Sequence, residues 1–280
     1  MITLVKLAFG KPFILIVGHL HTYSELQYLN EHKRLCEKLD GNGYTLGPIT
    51  ADHWFVFVAD QTIRRNIEDL DNDRVLNIMM FDIDEEVANI FYYDHYDARN
   101  SEVETKDEAT KRISFEQTKK AGIDSLCPGA QFDPRAFEPC GYSMNAIQFR
   151  SYFTMHITPE AGSSYASFET NQKTVSYTSL INNVVRTFKP KRFVMTLMAD
   201  EGGLKEIKGN PFIESYVGSK IIVPKKHTAM DTSDKVVYKR TDIASIKVED
   251  DCCCMMGNWT IQDPAKSLCE NERARGMSFA

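Results

Sequence analysis

Residues 149–170 read FRSYFTMHITPEAGSSYASFET. Phe149 to Thr158 and Tyr165 to Thr170 mix β-branched and aromatic residues at the spacing of pleated strands. His156, Thr158 and Glu160 alternate at period two, so a strand that persists through Pro159 places them on one face. Further along, Ser176 caps a helix that turns Leu180, Ile181, Val184, Val185 and Phe188 inward, and Arg192 to Met198 reads as another strand. Toward the amino terminus, His53 to Ala59 and Val75 to Ile83 are apolar enough to be strands, the first with both faces covered. Asp84 starts a short helix through Ile90, and Asn100 to Thr118 predicts an exposed loop followed by a surface helix. A helix from Ser24 to Leu39 is framed by a Thr22/Glu25 capping box and by Gly41. Strands outnumber helices, and the helices segregate. The expected fold is therefore an α+β sandwich with helices covering one face of a largely antiparallel sheet.

The acidic stretch Asp60 to Asp73 is a natural boundary between repeats. Met1 to Gly18 is apolar in patches divided by Lys6 and Lys11, and reads as a buried strand or as sequence foreign to the fold. Beyond Glu249 the periodicity decays, and residues 251–280 are expected to be a disordered tail.

With 280 residues, 42% of them hydrophobic and 26% charged, the chain can bury a core. Its formal net charge of -6, from 39 acidic and 33 basic residues, gives no general attraction for nucleic acid or anionic lipid. No apolar run reaches the roughly 20 residues that span a bilayer. The seven cysteines, Cys36, Cys127, Cys140, Cys252, Cys253, Cys254 and Cys269, match neither a disulfide framework nor a zinc pattern. This suits reduced thiols in the cytoplasm, with no metal. The basic run Lys189 to Arg192 lacks interleaved aromatics and reads as a solvated turn.

Three segments in fixed order narrow the reading: Phe137-Glu-Pro-Cys-Gly-Tyr-Ser-Met-Asn145, His156-Ile-Thr-Pro-Glu160 and Ser164-Tyr-Ala-Ser-Phe-Glu-Thr-Asn171. They resemble the FxPCGYSMN, HITPE and SYxSFETN signatures of eukaryotic S-adenosylmethionine decarboxylases, the pyruvoyl enzymes of spermidine and spermine synthesis. The resemblance continues weakly from about Tyr23 through Leu197 and is specific because the runs are long and close together. It implies a four-layer αββα sandwich of two similar repeats. Residues 1–60 would be the remnant of the first repeat and 61–250 the second, complete repeat. The family's FEG(P)EK segment, its LSESS cleavage motif and its TCGTT segment do not occur in this sequence, so the chain resembles an amino-terminally truncated member. Ser163-Ser164 lacks a preceding glutamate and is not read as a cleavage site.

Decarboxylation of an α-amino acid needs an electron sink that no side chain provides. The resemblance implies a covalent pyruvoyl cofactor, made from a serine absent here by ester formation, elimination and hydrolysis. It also implies roles for residues that match its motifs. Ser143 is the hydrogen-bond donor of the processing step and His156 the base, since neutral imidazole accepts a proton near physiological pH. Phe137 and Glu160 match the positions that stack on the adenine and hold the ribose of S-adenosylmethionine. Asp73 and Glu169 match two positions that bind putrescine in some animal members, whereas Asn77 stands where a further glutamate is usual. In isolation, Ser143 would be a turn hydroxyl, Phe137 a core aromatic, and Glu160 and Asp73 solvated charges. Three functions follow as alternatives: a decarboxylase, a non-catalytic prozyme-like partner in a homodimer or in a heterodimer with a competent paralogue, and a substrate- or polyamine-binding regulatory module.

Overall fold

A computed structural model describes residues 2–9, 11–19, 25–47, 53–60, 74–96, 104–208, 212, 220–224, 235–248 and 252–262. The first part comprises β1 (Ile2–Phe9), β2 (Lys11–His19), α1 (Glu25–Cys36), β3 (Gly41–Leu46) and β4 (Trp54–Asp60). The second comprises β5 (Arg74–Phe81), α2 (Glu85–Asn89), α3 (Lys106–Lys120), β6 (Gln131–Ala136), β7 (Tyr142–Gln148), β8 (Ser151–Thr158) and β9 (Tyr165–Thr170). It continues with α4 (Thr178–Phe188), β10 (Arg192–Asp200), α5 (Glu201–Glu206), β11 (Lys220–Pro224), β12 (Lys235–Val248) and β13 (Cys252–Ile261). Among these residues the strands form two sheets, β1-β2-β4-β3 and β11-β12-β13-β10-β5-β9-β8-β7-β6, and every pairing in them is antiparallel.

The large sheet buries different chemistry on its two faces. On one face Leu76, Ile78 and Met80 of β5, Met144 of β7, Phe153 and Met155 of β8 and Phe168 of β9 pack against Ile181, Val184, Val185 and Phe188 of α4. Each such side chain contributes about 1.5–3 kcal/mol when fully buried. The α4 residues recur at i, i+3, i+4 and i+7, which makes one stripe of a helix. On the opposite face Met79, Val194, Met198, Cys254 and Met256 meet Leu46, Trp54, Val56 and Val58 of the small sheet. Phe57, the alternate residue of β4, turns outward to the His32 ring on α1, centroid to centroid 5.6 Å. The layers therefore run helix, sheet, sheet, helix. Among the described residues no helix is long and apolar enough to cross a membrane.

Local signals account for most elements. Asp84 caps α2 by accepting from the Val87 amide, and Thr105 and Glu108 form a reciprocal capping box on α3. Arg74, buried at the start of β5, donates to the Gly203 carbonyl at 3.0 Å and to Glu206 at 3.2 Å, which ties α5 to the sheet. The capping residue Thr22 expected for α1 lies outside the described residues, as does Cys269.

Three expectations are corrected. The run Met1 to Gly18 is not one strand: β1 and β2 pair antiparallel, with Ile2 opposite Gly18. Phe149 does not begin β8. Gln148 and Ser151 pair across a two-residue turn that holds Phe149 at a φ of 53° and leaves it fully exposed, at 101%. The tail is not loosely ordered over Cys252–Ile261, which instead lie between β10 and β12 inside the large sheet. Their periodicity was hidden because residues 254–259 are buried on both faces, so no polar residue marks an outer side. Trp259 is fully buried, stacked on Phe193 at 5.5 Å and 5°, with Phe212 edge-on. Gly257 lies under that indole, where a Cβ would collide with the ring. The remainder of the expected tail, 263–280, is outside the described residues.

Trp259→Ala is expected to lower the unfolding free energy by about 3–5 kcal/mol through the cavity it leaves. Urea denaturation followed by circular dichroism measures this, and an unchanged midpoint would place β13 outside the cooperative core.

Candidate active site

Antiparallel register aligns one row of side chains across the large sheet: Arg135 of β6 opposite Ser143 of β7, Ser143 opposite His156 of β8, and His156 opposite Ser167 of β9. Tyr142, Met144 and Ala146 of β7 and Phe153, Met155 and Ile157 of β8 are buried on the helix-covered face. Alternation therefore sends Ser143 and His156 to the opposite, partly open face. There the Ser143 Oγ and His156 Nδ1 lie 2.8 Å apart. Burial of part of the ring pushes the His156 pKa below its ordinary value. The imidazole is thus neutral near pH 7 and can take a proton, while the hydroxyl can donate to a developing negative charge.

The other two motif residues flank this pair. Phe137 follows β6 and is 46% exposed, and its amide donates to the Gly141 carbonyl at 3.0 Å. That closes a tight loop in which Gly141 has a φ of 117°, a conformation side chains rarely adopt. The Gly141 amide donates to the Phe91 carbonyl at 2.9 Å, and the Tyr93 amide donates to the Pro139 carbonyl at 2.9 Å. Tyr92 bridges to Cys140 through the backbone, and its hydroxyl donates to the Pro159 carbonyl at 3.4 Å. Residues 91–93 thereby hold the 137–141 loop beside the end of β8. Glu160 lies just past that strand and is exposed. Its charge helps burial and Asp94 raise the Cys140 pKa, which locates the carboxylate near the same loop.

Asp73 lies outside the described residues. Glu169 is one cross-strand row away from the Ser143–His156 pair and does not touch it: its direct neighbours are Asn77 and Thr154. Its Oε1 accepts from the Tyr152 hydroxyl at 2.9 Å and its Oε2 from the Asn77 amide at 3.0 Å. Burial raises the Glu169 pKa, and these two hydrogen bonds oppose the rise. The folded state thus holds this proton more tightly than the unfolded chain. The group's contribution to stability is full below the ordinary carboxylate pKa and declines as pH rises through the folded value.

Sequence reasoning missed Tyr152, Ser167, Arg135 and Tyr92. The first two were within reach of it, because Tyr152 keeps period two with His156, and Ser167 keeps it with Glu169. Tyr152→Phe removes one donor to Glu169 and is expected to raise its pKa further, and to cost about 1–3 kcal/mol above that pKa, where the buried carboxylate is left short of a partner. Carbon-detected NMR titration of the Glu169 carboxyl measures the shift; an unmoved midpoint would contradict it.

A family profile described as adenosylmethionine decarboxylase matches residues 8–251. S-adenosylmethionine decarboxylase proenzymes are similar: that of Dictyostelium discoideum is 32% identical over 202 residues, which is 72% of this chain and 47% of that protein. Those of Drosophila melanogaster and Xenopus laevis are each 34% identical, covering 70% and 69% of this chain and 54% and 51% of theirs. The chain spans about half the length of the curated relatives it matches. Among solved structures, the Trypanosoma brucei AdoMetDC-delta26 monomer superposes with a TM-score of 0.57 at 21% identity, covering 89% of this chain and 85% of that one, which establishes a shared fold. A profile match across both sheets, joined to a structural match over most of the described architecture, leads to one conclusion: the chain belongs to the adenosylmethionine decarboxylase family.

Proposed function

We propose that this chain is part of an S-adenosylmethionine decarboxylase, which forms the decarboxylated nucleoside that donates aminopropyl groups in spermidine and spermine synthesis. The observation that carries this reading is the Ser143–His156 hydrogen bond at 2.8 Å, on a sheet face bounded by Phe137 and Glu160. A scaffold alone has no chemical need for a neutral imidazole, an adjoining hydroxyl, an exposed aromatic ring and a carboxylate together. In this reading Phe137 stacks on the adenine, Glu160 accepts from the ribose hydroxyls, and the amino-acid tail runs toward His156.

The face also fits a covalent carbonyl cofactor, because a burial-lowered histidine bonded to a hydroxyl offers both a base and a donor there. A pyruvoyl group at this face supplies the electron sink that the reaction requires. The serine from which the family forms this group is absent from this sequence, where no LSESS motif occurs. During formation of such a group His156 would be the base that takes the proton, and Ser143 would be the donor to the oxyanion of the preceding step. The four-stranded sheet is read as the remnant of the first repeat, residues 1–60, and the β5–β12 region as the second repeat, residues 61–250. The chain works in the cytoplasm. Putrescine is the candidate partner of the Glu169 site, where Asn77 supplies a neutral amide in place of a further carboxylate.

A second reading, a prozyme-like regulatory subunit that dimerises with a competent paralogue, is favoured by the absence of LSESS alone. The two readings separate in the protein made complete by an LSESS-bearing amino-terminal segment. His156→Ala should let the serine attack its neighbouring carbonyl but stall elimination, so the precursor accumulates as an ester that hydroxylamine cleaves. Ser143→Ala acts one step earlier and should leave an intact amide precursor, insensitive to hydroxylamine. Intact-mass analysis reads both, and normal self-cleavage in both variants would overturn the assignment.

A further inference from the structure

We propose that Arg135 receives the carboxylate of the substrate's amino-acid tail and so distinguishes substrate from product; this rests on the reading of the site given above. Arg135 is directly opposite Ser143 in the β6–β7 ladder, in the same row as His156. On β6, Pro134 and Ala136 are buried while Asp133 and Arg135 are exposed, so the guanidinium shares the open face with the Ser143–His156 pair. Phe137 stands two residues further along the same strand direction.

Three cations of α3 are committed to acidic partners. Lys106 pairs with Glu138 at 2.8 Å, Arg112 with Glu104 at 3.0 Å, and Lys120 with Glu116 at 2.8 Å. No ion pair or hydrogen bond of the Arg135 side chain forms among the described residues. Arg135 is thus rooted one strand spacing, about 4.8 Å between backbones, from Ser143 of the reactive pair.

The chemistry of the ligand supplies the rest. With adenine at Phe137 and ribose at Glu160, the reacting carbon must lie near His156, and the carboxylate to be lost is attached to that carbon. A planar fork of donors matches a carboxylate in two hydrogen bonds. Once carbon dioxide has left, the product carries no anion, so it is held by one charge-assisted contact fewer. Arg135 is accordingly a residue of substrate selection and product release. A competing role exists for it: β6 is the edge strand of the large sheet, and exposed charges there discourage pairing with another chain.

Calorimetric titration of the 280-residue chain with S-adenosylmethionine and with its decarboxylated form separates these roles, because the two ligands differ only in the carboxylate. Arg135→Gln should shift the ratio of the two affinities roughly tenfold toward the decarboxylated ligand, with Arg135→Lys intermediate. An unchanged ratio in Arg135→Gln overturns the inference. If that variant instead self-associates while the ratio stays constant, edge protection is its role. Failure of the unsubstituted chain to bind either ligand would remove the nucleoside site itself, and the inference with it.

Discussion

The register of the β7–β8 hairpin is the constraint on which the candidate site depends. Gln148 and Ser151 close a two-residue turn, and the ladder that follows sets Ser143 against His156 five pairs further on. Because strand side chains alternate, a slip of one residue would carry His156 into the apolar face and bring Met155 or Ile157 out. The large buried residues of β8 oppose such a slip, since Phe153, Met155 and Ile157 would all leave the core together. The reactive pair is therefore positioned by packing on the far side of the sheet. Its own hydrogen bond contributes only about 1 kcal/mol.

The two faces of the large sheet divide their tasks. The helix-covered face is apolar from β7 through β13 and supplies the cooperative core. The sandwich face is apolar where the small sheet covers it, around Met79, Val194 and Met256, and polar across Glu169, Thr154, His156 and Ser143. Within the described residues, the small sheet stops short of the polar half. His156 is thereby open to a ligand and Glu169 is partly buried. Loss of hydration disfavours the charged form of each, which lowers an imidazole and raises a carboxyl.

Much of this was legible in the sequence for physical reasons. β4, β5, β9, β10 and α4 announce themselves through runs and stripes of apolar residues, and α2 through its capping aspartate. The motifs contain the candidate residues Ser143, His156, Phe137 and Glu160, of which the register brings the first two into contact. β13 was not legible, because a strand buried on both faces carries no alternation and CCCMMGNWTI has β-branched residues only at its end, Thr260 and Ile261. The turn at Phe149 was hidden for the opposite reason: an aromatic residue in a left-handed conformation is against propensity, and only the pairing of its neighbours reveals it. Arg135 required the register, which no local window encodes.

The central claim is that the open face around Ser143 and His156 is a nucleoside site. A crystal structure of the chain soaked with 5′-deoxy-5′-methylthioadenosine tests it directly. The account predicts adenine against the Phe137 ring and ribose hydroxyls on the Glu160 carboxylate, with the sulfur end directed toward His156. Density for the ligand at any other surface, or none at saturating concentration, would contradict it.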